Sequence, residues 1–242
     1  MDPQALEHLN SRFAKSHARD IIAWACDRFG DKVAVSSSFG SESACLLSLA
    51  VQVKPAIPVL FIDTGFHFPE TLAFRDELVQ RLRLNLTVVG PVMGHAQFLK
   101  EHGKLYESDP DRCCAINKVE PLKRALVGLQ CWLSGVRGDQ TAYRAGMEFV
   151  ELKKDGLFKV SPLLGWNAKA VYEYLKAEGL PFHPLWDKGY SSIGCEPCTG
   201  VPGRPDDPRS GRWKGKNKSE CGIHTFMDGP QDARPKDERP QQ

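Results

Sequence analysis

The chain has 242 residues, of which 41% are hydrophobic and 26% are charged, and this composition predicts one globular domain with a sizeable core. Its 32 basic and 30 acidic residues give a net charge of +2, which argues against nucleic acid or an anionic membrane surface as a partner. No apolar run approaches the roughly 20 residues of a membrane-spanning helix, and the N-terminus lacks the basic and apolar regions of a signal peptide, so we expect a cytoplasmic protein.

Strands and helices alternate along most of the chain. Short apolar runs bounded by turn residues predict strands, and helical spacing of apolar residues predicts the helices between them. The predicted strands cover residues 31–38, 58–65, 84–92, the beginning of 131–140 and 157–166, and the predicted helices cover 16–29, 42–50, 68–82, 114–126 and 167–179. This alternation is typical of an α/β domain with a central parallel sheet.

The composition changes near the C-terminus. Residues 199–220 are rich in glycine, proline and charge and contain few apolar residues, so we expect a mobile segment. Residues 227–242 are more polar still and are expected to be disordered. We therefore divide the chain into an α/β domain of residues 1–199 and a flexible C-terminal segment of residues 200–242.

A loop rich in serine and glycine follows the first predicted strand and leads into a helix. In parallel α/β sheets, ligands bind beyond the carboxyl ends of the strands. A helix N-terminus with nearby hydroxyl groups provides the N–H groups and the positive dipole that hold phosphate or sulfate, although the same sequence could simply cap the helix. The candidate binding residues of this loop, which we call the Ser/Gly loop, are Ser37, Ser38, Phe39, Gly40, Ser41, Glu42 and Ser43.

Two other strand ends carry polar residues. Asp63 ends the second strand and could accept hydrogen bonds from a ribose or a base, or cap the turn, and His67 on the same loop is a second candidate contact. Arg137 and Arg144 flank a Gly-Asp-Gln loop after the fourth strand, and guanidinium groups suit a phosphate. A salt bridge between Arg137 and Asp139 is the competing interpretation.

Eight cysteines are many for a chain in a reducing compartment, where structural disulfides are rare. Three of them, Cys26, Cys45 and Cys131, lie in apolar patterns and are interpreted as buried thiols. Four others form two close pairs that can hold either a zinc ion or a four-iron cluster, and a cluster suits adjacent cysteines better because each sulfur binds a separate iron. These four are Cys113, Cys114, Cys195 and Cys198.

The eighth cysteine, Cys221, lies in a basic part of the C-terminal segment. Cationic neighbours favour a thiolate and a mobile segment makes it accessible, as a nucleophile requires. His224 could pair with this cysteine, contact the substrate or belong to a metal site. Lys118 lies four residues after Cys114 on one helix face, where its charge could stand between a cluster and an anionic substrate; the alternative is an ordinary surface lysine.

Several of these segments together resemble the assimilatory sulfonucleotide reductases of the adenylyl-sulfate type. They are SSSFGSES, DTGFHFPET, CCAINKVEPL, GVRGDQ, HPLWDKGYSSIGCEPCT, GRWKGK and ECGIH, and the resemblance runs from about residue 15 to residue 226. It implies an adenine nucleotide alpha-hydrolase-like fold in which the Ser/Gly loop holds the phosphosulfate.

The resemblance also implies a chemistry. In such enzymes the cysteine of the ECGIH-like motif, here Cys221, attacks the sulfate sulfur of adenosine 5'-phosphosulfate (APS), releases AMP and leaves an enzyme thiosulfonate. Thioredoxin, or glutaredoxin, then cleaves this thiosulfonate to sulfite in assimilatory sulfate reduction. An assembly of identical chains is expected as well.

The same resemblance assigns the remaining site residues. The four paired cysteines match the ligands of a [4Fe-4S] cluster, which is expected to tune the substrate site and not to carry electrons. The residues that match phosphosulfate-binding positions are Lys118, Arg137, Arg209, Arg212 and His224, and the two last arginines would arrive when the C-terminal segment closes.

Two alternative functions stay open at this point. The first is a reductase of 3'-phosphoadenosine 5'-phosphosulfate (PAPS), or of both nucleotides, although relatives that use PAPS alone typically lack the cluster cysteines. The second is a zinc-stabilised nucleotide-binding module whose C-terminal segment recruits partners without catalysis. Iron and sulfide content separates a cluster from zinc.

Overall fold

The computed structural model of the chain describes residues 1–204, 207–216 and 218–226. Within these ranges six strands form one sheet, and helices pack on both of its faces. Residues 227–242, for which the sequence predicts disorder, lie outside the described residues. No helix in the described ranges combines the length and the apolar character needed to cross a membrane.

The elements follow the alternation predicted from the sequence. The strands are β1 Val33–Ser37, β2 Pro58–Ile62, β3 Asn85–Val89, β4 Cys131–Leu133, β5 Val150–Leu152 and β6 Phe158–Val160. The α-helices are α1 Pro3–Phe13, α2 Ala18–Phe29, α3 Ser43–Val53, α4 Pro69–Leu82, α5 His95–His102, α6 Leu105–Ser108, α7 Pro110–Cys114, α8 Glu120–Leu126, α9 Ala142–Ala145 and α10 Ala168–Ala177. A π-helical turn, Ala115–Val119, joins α7 to α8.

The strand order in the sheet is β3-β2-β1-β4-β6-β5. All neighbouring pairs are parallel except β5 and β6, which are antiparallel. Strands β2 and β3 follow β1 on one side of the sheet, and β4 lies next to β1 on the other side, so the strand order reverses between β3 and β4. In sheets of this kind a crevice opens where the order reverses, so the loops that follow β1 and β4 flank the expected ligand site.

The core explains why β1 occupies the centre of the sheet. Val33 and Val35 point to one face, where they join the cluster built mainly by α2 and α3, and Ala34 points to the other, where it meets α8. All three side chains are completely buried. A strand that is covered on both faces has a continuous apolar sequence, and Val33, Ala34 and Val35 of β1 form such a run.

The predicted parallel α/β architecture is confirmed, and the structure adds elements that were not predicted, among them α1 and β5 at the sheet edge. Helix α1 packs at the sheet edge, where the side chain of Asn10 accepts a hydrogen bond from the Val150 N–H (2.8 Å) and donates one to its carbonyl (3.0 Å). These two bonds satisfy the N–H and the carbonyl of Val150 in β5, the antiparallel edge strand that the sequence analysis did not predict. The predicted helix 114–126 is interrupted by the π-helical turn.

A buried histidine makes the stability of this domain depend on pH. The ring of His183 is 1% exposed; its Nδ1 accepts a hydrogen bond from the Leu185 N–H (3.1 Å), so Nε2 donates to the Thr71 hydroxyl (3.0 Å). Burial lowers the pKa of His183 from 6.5 to about 4. The unfolded chain therefore binds more protons at this residue between these two pH values, and stability is lost as the pH falls through that window.

We expect the free energy of unfolding to fall by about 2 kcal/mol more between pH 7 and pH 5 in the wild type than in His183→Gln. Urea unfolding at the two pH values measures this difference, since both proteins share every other titrating group. Equal losses in the two proteins would show that His183 is not buried as the neutral ring.

Candidate active site

A cavity of about 290 Å³ opens at the carboxyl ends of the parallel strands. Its walls come from the Ser/Gly loop after β1, the loop after β4, residues 191–195 and the C-terminal segment. The site therefore lies at the reversal of strand order, where the fold predicts it.

The Ser/Gly loop lines this cavity with six of its seven predicted residues. They are Ser37, Ser38, Gly40, Ser41, Glu42 and Ser43. Phe39 has a positive φ of 48°, and its side chain packs in the core against Phe61. It therefore supports the loop from the core side and does not line the cavity. Gly40 faces the Ile193 carbonyl, which a Cβ at this position would approach to 3.1 Å.

Arg137 lines the cavity and pairs with two carboxylates. Its Nε donates to Asp139 Oδ1 (3.0 Å), as the competing interpretation expected, and its Nη1 forms an ion pair with Glu42 of the Ser/Gly loop. The guanidinium is 6% exposed and therefore held in place by these pairs. The loops after β1 and β4 are joined by this contact.

Asp63 and His67 take different places after β2. The Asp63 carboxylate accepts the Gly65 N–H (2.9 Å), which is the turn-capping alternative, and it lies outside the residues that line the cavity. His67 does line the cavity, and its Nε2 lies 3.0 Å from the Ile62 carbonyl. Burial lowers the pKa of His67, which favours the neutral ring.

The two cysteine pairs come together beside the cavity. Burial first, and then the neighbouring thiols of Cys114, Cys195 and Cys198, raise the pKa of Cys113 to about 12. The Thr64 hydroxyl lies 3.3 Å from Cys195 Sγ, and the Asn117 amide donates to Cys113 Sγ (3.7 Å). Such contacts to sulfur are those that surround a ligated thiolate.

The four paired cysteines offer only sulfur donors, which suit either a zinc ion or an iron-sulfur cluster. Within the described ranges no three His, Cys, Asp or Glu side chains are arranged to hold one metal ion. Cys113, Cys114 and Cys195 are buried and Cys198 is half-buried, and neighbouring thiols add to the effect of burial in raising the pKa values of Cys113 and Cys198. The π-helical turn directly after Cys114 is a feature often found at functional sites.

Lys118 lies in that π-helical turn and is buried, not a surface lysine. Burial lowers its pKa, but the negative charge of thiolates at Cys195, Cys221 and Cys114 outweighs burial, and the pKa is raised overall. It also lines the cavity. Lys118 thus lies between the paired cysteines and the cavity, and its part in holding an anionic substrate stays a prediction.

The described part of the C-terminal segment packs against the domain. The Trp213 N–H donates to the Cys198 carbonyl of the domain (3.1 Å), and within the segment the Gly200 N–H donates to the Gly211 carbonyl (2.8 Å). The Trp213 side chain is 4% exposed. This packing brings partly exposed Cys221 to the wall of the cavity. The predicted mobility of the segment stays a prediction.

Arg209 and Arg212 reach the cavity from this segment. They share the hydroxyl of Ser192, at 3.3 Å from Arg209 Nη1 and 3.4 Å from Arg212 Nη1. Burial, followed by the charge of Arg144, lowers the pKa of Arg209 to about 10. Arg212 lies against Gly194, where a Cβ would approach its guanidinium to 2.3 Å. Both cations thus stand where an anion in the cavity would meet them.

His224 also lines the cavity, with its ring stacked on Trp132 at 6.0 Å. Burial and the nearby charges of Arg144 and Lys159 hold its pKa well below the ordinary value. The ring is therefore neutral at physiological pH. Its Nδ1 is buried and has no hydrogen-bond partner among the described residues, which leaves it available to a ligand.

Some lining residues were not singled out from the sequence. They are Ser134, Gln140, Trp186, Ser191, Ser192, Ile193 and Gly194. Residues 191–194 fall in a short Ser/Gly run before Cys195, a signal that could have been read as a second polar loop. Ser134 is the first residue after β4, and its position at a strand end was the available signal.

The fold and the cavity define a parallel α/β protein with a ligand site at the carboxyl ends of its strands and a cysteine among basic side chains in that site. The sequence model described as the phosphoadenosine phosphosulfate reductase domain matches residues 32–201 of the chain. A Gloeobacter violaceus protein named phosphoadenosine 5'-phosphosulfate reductase is 44% identical over 229 residues, covering 93% of this chain and 95% of that protein. A Streptomyces coelicolor protein named adenosine 5'-phosphosulfate reductase is 40% identical over 209 residues, covering 86% and 88%.

A solved structure agrees with these relatives. The crystal structure of phosphoadenylyl-sulfate reductase from Candida auris, in a phosphate complex, superposes with a TM-score of 0.73 at 27% identity and covers 83% of this chain and 98% of that one. The chain belongs to the phosphoadenosine phosphosulfate reductase family, and the adenine nucleotide alpha-hydrolase-like fold predicted from the resemblance is confirmed.

Proposed function

We propose that this protein reduces adenosine 5'-phosphosulfate to sulfite and AMP through a thiosulfonate on Cys221, with thioredoxin or glutaredoxin as the reductant. The observation that carries the proposal is the meeting of Cys221 with the Ser/Gly loop and with the cations Lys118, Arg209 and Arg212 in one cavity. A nucleophile, an oxyanion-binding loop and cations are what displacement at a sulfate sulfur requires.

The residues have distinct parts in the first step. Hydroxyl and N–H groups of the Ser/Gly loop bind the phosphosulfate at the N-terminus of α3. The Cys221 thiolate attacks the sulfur, the bond from sulfur to the phosphate oxygen breaks, and AMP leaves with that electron pair. Lys118, Arg209 and Arg212 offset the negative charge on the sulfuryl and phosphate oxygens, and neutral His224 offers a hydrogen bond.

The second step returns the enzyme to its thiol form. A thiolate of the reductant attacks Cys221 Sγ, sulfite leaves, and the second thiol of the reductant resolves the mixed disulfide. The reductant is oxidised to a disulfide and the sulfate sulfur is reduced. Cys221 must be reachable by another protein at this stage, which the predicted mobility of residues 200–242 would allow.

The cluster is part of the proposal. Cys113, Cys114, Cys195 and Cys198 would hold a [4Fe-4S] group, whose charge would be felt at the substrate site beside Lys118. The buried thiols and the contacts of Thr64 and Asn117 to sulfur support this assignment. The presence of all four cysteines favours APS, since the resemblance associates their absence with exclusive use of PAPS.

The names of the relatives include both substrates, so the choice of APS needs a direct test. Purified protein should be assayed anaerobically with thioredoxin and either nucleotide, and sulfite should be quantified against AMP or 3'-phospho-AMP. We expect equal amounts of sulfite and AMP from APS and a kcat/KM for PAPS that is lower. Preference for PAPS would replace the proposed substrate, and absence of sulfite from both nucleotides would refute the reductase.

A further inference from the structure

Glu220, the residue directly before Cys221, has hydrogen-bond donors at both of its carboxylate oxygens. The Glu220 carboxylate is 7% exposed, and Arg144 binds both of its oxygens, Nε to Oε1 at 2.7 Å and Nη2 to Oε2 at 2.8 Å. The Thr141 hydroxyl donates to Oε1 as well (3.0 Å). Arg144 itself is 7% exposed. This is a buried, bidentate ion pair between the C-terminal segment and the loop that follows β4.

Arg144 is also connected to the Ser/Gly loop through hydrogen bonds. Arg144 Nη1 donates to the Gln140 side-chain oxygen, and the Gln140 amide donates to Glu42 Oε2 (3.3 Å). Glu42 is the residue directly before α3 and pairs with Arg137. A series of contacting side chains therefore connects Glu42 of the Ser/Gly loop, through Gln140 and Arg144, to Glu220, the residue before Cys221.

Cys221 is also fixed on its other side. Gly222 has a φ of 82°, and a Cβ there would approach the Val119 side chain to 3.3 Å, so the chain turns tightly against the π-helical turn. Ile223 and Phe226 then pack on the apolar cluster that contains Trp132 and Leu126. Cys221 therefore lies between the Glu220–Arg144 ion pair, which we call the ionic anchor, and the apolar contacts of Ile223 and Phe226.

The ionic anchor should be strong and sensitive to substitution. Burial raises the pKa of Glu220, but the hydrogen bonds and the charge of Arg144 lower it more, so the carboxylate stays ionised. Removing one partner of a buried pair leaves the other charge without compensation, which is strongly unfavourable. Since adjacent Cα atoms are about 3.8 Å apart, a shift of Glu220 moves Cys221 with it.

We propose that Glu220 is a positioning residue, whose buried ion pair with Arg144 holds Cys221 at the cavity and links its position to the Ser/Gly loop through Gln140. The inference rests on the proposed function of Cys221 as the nucleophile. It predicts a loss in the rate of sulfonate transfer and not in the capacity of Cys221 to accept the group.

The test is the rate of sulfonate-adduct formation on Cys221 during anaerobic mixing with APS without reductant, followed by mass spectrometry. In Glu220→Gln we expect the rate at saturating APS to fall about tenfold or more, with the final adduct yield unchanged. The matched control is Ser219→Ala, whose side chain is exposed, and it should react within about twofold of the wild type.

A double-mutant cycle separates positioning from an independent role. If Glu220 acts through Arg144, the variant Arg144→Met/Glu220→Gln reacts no more slowly than the slower single variant, whereas independent effects multiply. Iodoacetamide should also alkylate Cys221 of Glu220→Gln faster than that of the wild type when no nucleotide is present. An unchanged thermal midpoint of the sheet domain shows that the variant is folded.

The outcomes distinguish this inference from the proposed function. A wild-type protein that forms no adduct refutes the proposed function itself. Adduct formation by the wild type, together with a wild-type rate in Glu220→Gln or with multiplying effects in the cycle, leaves that function intact and overturns the positioning role.

Discussion

Cys221→Ser is expected to lose sulfite formation by a factor on the order of 10⁴ or more while it still binds the nucleotide. A serine hydroxyl is not ionised at neutral pH, so the variant lacks the thiolate that attacks sulfur. The binding residues are unaffected because serine has nearly the same size. Sulfite release with thioredoxin measures the loss, and calorimetric titration with APS or AMP measures the retained binding.

Cys26→Ser is the matched control for this variant. Cys26 lies on α2, is half-buried and packs against the main core, outside the residues that line the cavity. We expect Cys26→Ser to form sulfite at a rate within about twofold of the wild type. Turnover of Cys221→Ser at the wild-type rate would remove Cys221 from the mechanism.

Cys195→Ser is expected to lose the proposed iron-sulfur cluster and with it nearly all bound iron. An alcohol is a poor ligand for iron compared with a thiolate, and a [4Fe-4S] group needs all four cysteines. Iron and acid-labile sulfide should fall from about four per chain in the anaerobically purified wild type to near zero.

A second ligand variant keeps this prediction testable if Cys195→Ser folds poorly. Cys114→Ser changes the other pair, on α7, and should give the same loss, while Cys26→Ser should retain the wild-type iron content. An intact cluster spectrum in either ligand variant would contradict the assignment. Stoichiometric zinc with no iron in the wild type would favour a zinc site instead.

The elements that position the site were predictable because their signals are local. An apolar run such as that of β1, followed by small polar residues and a helix, predicts both a strand and the loop at its carboxyl end. Cys221 and the four paired cysteines could be singled out as candidates because their residue type and spacing have few ordinary explanations, and their roles stay predictions. The family resemblance added the roles that spacing alone left open.

Other features depend on pairs that are distant along the chain. Glu220 and Arg144 are 76 positions apart, and neither residue has a local pattern that indicates the other. Strand β5 is stabilised by Asn10, which is 140 positions away. Asp63 shows the converse limit, since a carboxylate at a strand end suits either a ligand or a turn, and its bond to the Gly65 N–H is seen only in the structure.

The central claim is that Cys221 accepts a sulfonate group in this cavity. The most direct test is peptide mass spectrometry of the wild type after anaerobic mixing with APS in the absence of any reductant. The account predicts one added SO₃ group on the peptide that contains Cys221, and its removal by reduced thioredoxin. An unmodified peptide with both APS and PAPS, or an adduct on another cysteine, would contradict it.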